Sequence, residues 1–217
     1  MRLADCGSTW TKLWDERGLI VLPTKEILGD ASFRFDRATG HMAKSRTDRY
    51  ENELIALAAG ALALIGEDAF TVVDVGSRDT KYVSFKGRKL ARMDWNQACG
   101  ASTGFTLELL AKYYEVDYDS LEPAETEIPV TCGVFAMERV FDAILQGGTP
   151  ARALASMVRG VAKNVHSFAG NPEKLYLSGG LCENRCFLRT LEGFAEVVPL
   201  GRTVLLEGLK ALDGTLP

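Results

Sequence analysis

The chain has 217 residues, enough for one substantial core or for two small lobes sharing an interface. Its apolar fraction of 47% and charged fraction of 25% are those of a globular, soluble protein, and a net charge of −4 gives no bulk reason to expect nucleic acid. The opening "MRLADCGSTW" lacks the basic stretch and apolar core of a secretion signal, and no run of about 18 apolar residues exists to span a membrane, so a cytoplasmic protein is expected.

In chain order, "DCGSTWTK" reads as a polar turn closing a β-hairpin, with Gly7 supplying the unusual backbone angles, and "GLIVLPT" reads as a strand. The polar stretch "SFRFDRATGHMAKSRTDRY" carries no periodicity that assigns an element. "ENELIALAAGALALIG" has apolar residues at Leu54, Ile55, Leu57, Ala58 and Leu62, a helical spacing that should end near Gly66. "TVVDV" then forms a buried strand, "GSRDT" a turn and "KYVSF" the returning strand. Helices are expected over Phe105–Tyr114, Val134–Leu145 and from Pro150 to about Phe168, the last with Thr149 as N-cap and proline at its first position. "KLYLSGG" is a strand ending in paired glycines, "ENRCFLRTLEGF" a helix, and "TVLLEGLKAL" a closing helix.

Two of these turns echo each other. "DCGS" and "DVGS" both run on to a Thr-Lys pair, Thr11-Lys12 and Thr80-Lys81, which suggests two related lobes. No G-x-x-x-x-G-K-[ST] loop and no strand-linked G-x-G-x-x-G is present, so nucleotide binding by either of those routes is not expected. A pair of hairpin turns offers another route. Backbone N–H groups of "GST" and "GSR" would hold phosphate oxygens, Asp5 and Asp74 would orient Mg²⁺ through water, and Lys12 would neutralise a phosphate. A tight hairpin whose aspartate stabilises its own backbone is the plainer explanation of each turn taken alone. "YLSGGLCEN" would let a flat base approach the backbone at Gly179 and Gly180, or would simply pack strand against helix.

Five cysteines, an odd number scattered along the chain, are read as reduced thiols rather than a disulfide framework. Cys99 and Cys132 each precede a predicted helix, where amide groups and the helix dipole favour thiolate. Two cysteines do not complete a four-thiolate site, but a twofold dimer with two from each chain would. Cys182 and Cys186, four apart on a predicted helix, read as core thiols, Cys6 is given no role, and His41 and His166 read as surface or packing residues.

Taken together, "DCGSTWTK", "VVDVGSRDTK", "WNQACGASTGFTLELLAKY", "TCGVFAMERVFDAILQGGTPARALASMVRGVAKNV" and "LSGGLCENRCFLRTLE" resemble the BadF/BadG/BcrA/BcrD ATPase family, the 2-hydroxyglutaryl-CoA dehydratase activator-like proteins. The resemblance covers the first dozen residues and most of residues 70 to 195. It implies an α/β fold of the actin/Hsp70-like (ribonuclease H-like) type: a shortened first lobe at 1–68, a second lobe at 69–202, and a helix at 203–213 packing back on the first. It implies ATP/ADP with Mg²⁺, bound through Asp5, Gly7, Ser8, Thr9 and Lys12 in the first turn and Asp74, Gly76, Ser77, Arg78 and Asp79 in the second. Asp5, Asp74 and Asp79 would be the catalytic carboxylates, and Ser102, Thr103, Gly104, Gly179, Gly180 and Asn184 would lie along the nucleotide. It further implies a homodimer bridged by one [4Fe-4S] cluster on Cys99 and Cys132 of each subunit. Such a dimer takes electrons from an upstream donor and delivers them at low potential to a partner metalloenzyme, chemistry suited to an anaerobe.

The sequence departs from the family at three places. The family's second turn reads D-I-G-G-Q-D where Ser77 and Arg78 stand here, Leu57 replaces a common histidine, and the first lobe is short. A non-hydrolysing nucleotide-binding or iron–sulfur subunit of a larger redox assembly is the alternative, and a small-molecule kinase of the same superfold a third reading.

Overall fold

A computed structural model describes residues 1–97 and 103–214, which divide into two compact units. The first comprises Met1–Ala69, Val83–Asp94 and the chain from Arg202 onward; the second comprises Phe70–Tyr82 and Trp95–Gly201.

The chain opens with β1 (Leu3–Cys6), β2 (Trp10–Asp15) and β3 (Gly18–Pro23), two successive antiparallel hairpins rather than the single one expected from the sequence. A short helix α1 (Lys25–Leu28) and β4 (Arg37–Thr39) follow. β4 pairs parallel with β1, giving a four-stranded sheet of order β3-β2-β1-β4. Arg46 is buried here because its guanidinium donates to the carbonyls of Ile27, Leu28, Asp30 and Phe33, satisfying the end of α1.

Helix α2 (Glu53–Leu64) starts where the Asn52 side chain accepts from the Leu54 N–H, and it stops two residues short of Gly66. Its buried face of Ala56, Leu57, Gly60 and Ala61 packs on the last helix, α7 (Val204–Leu212). The seam is backbone against backbone: a Cβ on Gly60 would collide with the Val204 carbonyl, and one on Gly208 with the Ala56 carbonyl. Small residues at these positions let the helices approach that closely.

The second sheet runs β7-β6-β5-β8-β9, from β5 (Phe70–Val75), β6 (Thr80–Lys86), β7 (Lys89–Asn96), β8 (Lys174–Ser178) and β9 (Glu196–Gly201). β5, β8 and β9 are parallel. Helices α3 (Thr103–Tyr114), α4 (Gly133–Leu145), α5 (Pro150–Phe168) and α6 (Arg185–Glu192) complete the second unit. Its core gathers Val73, Val75, Leu107, Leu154, Met157, Leu177 and Phe187 around the buried face of α5. Thr149 caps α5 as the sequence suggests, its hydroxyl accepting from the Arg152 N–H ahead of Pro150.

One helical expectation is corrected. Cys182 and Cys186 do not share a helix: Asn184 caps α6 with its side chain on the Phe187 N–H, leaving Cys182 in a separate 3-10 turn over Gly180–Glu183. An N-cap resets the backbone to an extended conformation, which ends the 3.6-residue register before it reaches Cys182.

Candidate functional site

The sequence echo is an echo in three dimensions. Within the first unit, Asp5 on β1 lies in register with Thr39 on the parallel strand β4; within the second, Asp74 on β5 lies in register with Ser178 on β8. Glycine follows both hydroxyl residues with nearly the same left-handed backbone, φ 96° at Gly40 and 94° at Gly179. A Cβ on Gly40 would strike the Cys6 backbone, and one on Gly179 the Val75 backbone. Positive φ and close approach both demand glycine there.

In the first unit, Lys12 sits directly across from Asp5 in the β1–β2 ladder and its ammonium meets the carboxylate at 2.8 Å, with both side chains largely buried. The turn between them is braced by Thr24, whose hydroxyl donates to the Gly7 carbonyl and whose N–H donates to the Thr9 carbonyl. Gly7 is required because its Cβ would lie 2.7 Å from the Trp10 carbonyl oxygen. Ser8 and Thr9 form the half-buried crest of this turn. His41 is not isolated: its Nδ1 lies 3.0 Å from the Glu53 carboxylate. His166 is a packing residue, stacked on Phe194 with its Nε2 against the Pro172 carbonyl.

The second unit carries the denser constellation. Asp74, Asp79 and Lys81 are all buried. The Ser178 hydroxyl donates to Asp74 Oδ1 at 2.7 Å, and Lys81 Nζ lies 2.7 Å from Asp79 Oδ1 and 3.7 Å from Asp74 Oδ2. The Trp95 indole donates to Asp79 Oδ2 at 2.8 Å. Two carboxylates against one ammonium leave a net negative charge lined by oxygens, a donor set that fits a hydrated Mg²⁺. The Gly76 N–H closes the turn onto the Asp79 carbonyl, so this amide is already engaged within the protein; Ser77 is half-buried and Arg78 exposed at the turn's tip. α3 starts against this turn: the Phe105 N–H donates to the Ser77 carbonyl, and a Cβ on Gly104 would lie 2.6 Å from the Gly76 carbonyl oxygen.

Gly179 is needed for packing, whereas a Cβ on Gly180 would meet nothing within 4 Å, so the backbone there borders open space. Asn184 spends its side-chain oxygen on the α6 cap. Of the proposed cluster ligands, Cys132 is the half-buried N-cap of α4, while Cys99 and Ser102 lie outside the described residues; Thr103 opens α3. The other described thiols, Cys6, Cys182 and Cys186, are shifted by burial. Burial first, then the Asp5 charge, pushes the Cys6 thiol up to about 12. Burial likewise pushes Cys182 up to about 12 and raises Cys186. Lys81, Trp95 and Ser178 were not singled out as site residues from the sequence, although the repeated Thr-Lys pair already pointed at Lys81.

The fold belongs to the actin-like α/β ATPase class. It superposes with a TM-score of 0.76 on the activator of the 2-hydroxyisocaproyl-CoA dehydratase from Clostridium difficile with bound ADPNP, at 24% identity over 99% of this chain and 96% of that one. With Acidaminococcus fermentans (R)-2-hydroxyglutaryl-CoA dehydratase component A the TM-score is 0.73, at 23% identity over 98% and 95% of the two chains. MreB5 of Spiroplasma citri shares the fold at a TM-score of 0.51.

The chain belongs to the BadF/BadG/BcrA/BcrD ATPase family, whose model matches residues 28–199. It is 28% identical over 176 residues to the Acidaminococcus fermentans (R)-2-hydroxyglutaryl-CoA dehydratase activating ATPase, covering 73% of this chain and 67% of that protein. It is 29% identical over 162 residues to the 2-hydroxyisocaproyl-CoA dehydratase activator of Clostridioides difficile, covering 70% of this chain. That alignment spans 60% of the relative's own length. No helix among the described residues is long and apolar enough to cross a membrane.

Proposed function

We propose that this protein is an ATP-dependent reductive activator, which uses Mg-ATP binding and hydrolysis to drive electrons from an upstream donor into a partner metalloenzyme. The observation that carries this reading is the buried Asp74–Lys81–Asp79 cluster, with Ser178 holding Asp74, in a chain of this ATPase family. Asp74 and Asp79 would orient the hydrated Mg²⁺, Lys81 would balance their charge, and Lys12 beside Asp5 would meet phosphate. Gly104, Gly179 and Gly180, with Ser102, Thr103 and Asn184, would border the nucleotide.

Cys132 at the start of α4, with Cys99, would hold a [4Fe-4S] cluster shared between two copies of the chain. When bound, the cluster would supply one-electron chemistry. The helix N-terminus at Cys132 favours the thiolate that ligation needs. The partner would be a reductively activated cytoplasmic enzyme such as a 2-hydroxyacyl-CoA dehydratase, the kind of enzyme named by the relatives.

Anaerobic purification, with iron and sulfide analysis, visible absorption, solution mass and ATP turnover on one sample, tests this reading. About four irons per dimer, lost on Cys132→Ala or Cys99→Ala, together with ATP hydrolysis, is the expected result. Protein that stays colourless after anaerobic reconstitution removes the electron-transfer role. A second reading, a nucleotide-binding subunit without hydrolysis, is favoured by Ser77 and the exposed Arg78 in the second turn. Nucleotide binding without turnover would select it.

A further inference from the structure

We propose that Trp95 is a positioning residue for Mg²⁺-nucleotide, acting through Asp79. The inference rests on the reading of the second acidic turn as a Mg-nucleotide site.

Asp79 is buried and each of its carboxylate oxygens has a separate donor. Lys81 Nζ holds Oδ1 at 2.7 Å and the Trp95 indole N–H holds Oδ2 at 2.8 Å. The triangle closes on itself, because the Lys81 ammonium also stands 5.3 Å from the centre of the Trp95 ring. A carboxylate with one donor pivots about it; with a donor on each oxygen, its plane is fixed. The free lone pairs of a carboxylate held in this way point in set directions, which is what an octahedral, tightly hydrated Mg²⁺ requires of a ligand or of a water acceptor.

Trp95 is well placed for this role. Residues Lys89–Asp94 of β7 are exposed, and the strand becomes half-buried only at Trp95 and Asn96. The strand turns inward only at this end, where the indole meets Asp79. Lys81 alone would leave Asp79 attracted toward the ammonium and toward Asp74's side of the cluster. The indole, neutral and rigid, holds the second oxygen without adding charge to a cluster whose net negative charge favours the cation.

The test is calorimetric binding of Mg-ADP to the unmodified chain and to Trp95→Phe, Asp79→Asn and the double variant. Phenylalanine keeps the aromatic face for Lys81 and removes only the N–H. Trp95→Phe is expected to lose about ten-fold in Mg-ADP affinity, the scale of one hydrogen bond to a charged group. The Mg²⁺ concentration for half-saturation should rise with it. If Trp95 acts through Asp79, the double variant binds no more weakly than Asp79→Asn. Wild-type affinity in Trp95→Phe, or losses that multiply in the double variant, would overturn the inference while leaving the nucleotide site standing. Failure of the unmodified chain to bind Mg-ADP would overturn both.

A second measurement needs no change at position 95. Trp10, Trp14 and Trp95 are the three tryptophans of the chain, so Trp10→Phe with Trp14→Phe leaves Trp95 as the sole indole. Its emission should shift on adding Mg-ADP and return on chelating the Mg²⁺. An unchanged emission at saturating nucleotide would count against the proposal, even if Trp95→Phe failed to fold.

Discussion

Gly104 and Gly76 meet backbone to backbone: a methyl group on Gly104 would stand 2.6 Å from the Gly76 carbonyl oxygen and 3.1 Å from Ser77 Cα. The first turn of α3 is therefore seated on the second acidic turn, and neither can move without the other. Gly104→Ala should displace one of them by several tenths of an ångström, with a stability loss of about 1–3 kcal/mol typical of overpacking. Mg-ADP affinity should fall more than the melting temperature predicts. Calorimetry alongside a thermal melt separates the two, and unchanged affinity would argue that α3 and the turn are not coupled.

Ser178 is the sole donor described on Asp74 Oδ1. Ser178→Ala leaves a buried carboxylate oxygen short of a partner, which costs about 1–3 kcal/mol. Ser178→Thr restores the hydroxyl and should recover most of the loss. Urea midpoints of the three proteins decide this, and equal midpoints for serine and alanine would mean that Lys81 alone stabilises Asp74.

The α2–α7 seam predicts a larger effect. Gly208→Ala places a methyl against the Ala56 carbonyl and Gly60→Ala one against the Val204 carbonyl. Because backbone rather than a flexible side chain is in the way, relief requires the helices to separate. Each substitution should cost at least about 3 kcal/mol, the upper part of the overpacking range. Limited proteolysis should then cut α7 first, whereas wild-type resistance would show that the seam can relax.

The thiols give a pH prediction whose sign is fixed by linkage. Cys6 is raised from 9.0 to about 12 in the folded protein, so above pH 9 the unfolded chain releases a proton that the folded chain keeps. Stability therefore falls as pH rises from about 9 to 12, by about 1.4 kcal/mol per pH unit for this one group. Below pH 9 it contributes no slope. Cys6→Ala should flatten the difference between urea midpoints at pH 8 and pH 10.5; parallel behaviour of the two proteins would place the lost stability elsewhere. In cluster-free folded protein at pH 8, iodoacetamide should label the half-buried Cys132 before the buried Cys6 or Cys186.

The acidic turns were legible because they are local: Asp, Gly and the Thr-Lys pair recur at fixed spacing in "DCGSTWTK" and "DVGSRDTK". The residue in register with each aspartate was not, because Thr39 and Ser178 come beside Asp5 and Asp74 only through parallel strand pairing. Of the two, only the Ser178 hydroxyl donates to its aspartate, the Thr39 hydroxyl donating to the Glu51 carbonyl. β4 is three residues long inside a polar stretch, too short to display a period. β7, "KLARMDWN", alternates apolar and polar residues only from Ala91 onward and is exposed on both faces along most of its length, so the pattern marks no buried face. β9 carries Pro199, which a central strand excludes and an edge strand tolerates. The role of Trp95 was not legible for a related reason: its partner, Asp79, lies in the turn before β6, and nothing in "MDWNQ" announces it.

The α2–α7 seam also sets an order of assembly. The second unit, Phe70–Tyr82 and Trp95–Gly201, is fully synthesised before Val204 leaves the ribosome. The first unit begins at the opening residues yet has no partner for Ala56, Leu57 and Gly60 until the last helix emerges. Of the two units, the one begun first is thus the one finished last, and one face of α2 stays bare in the meantime.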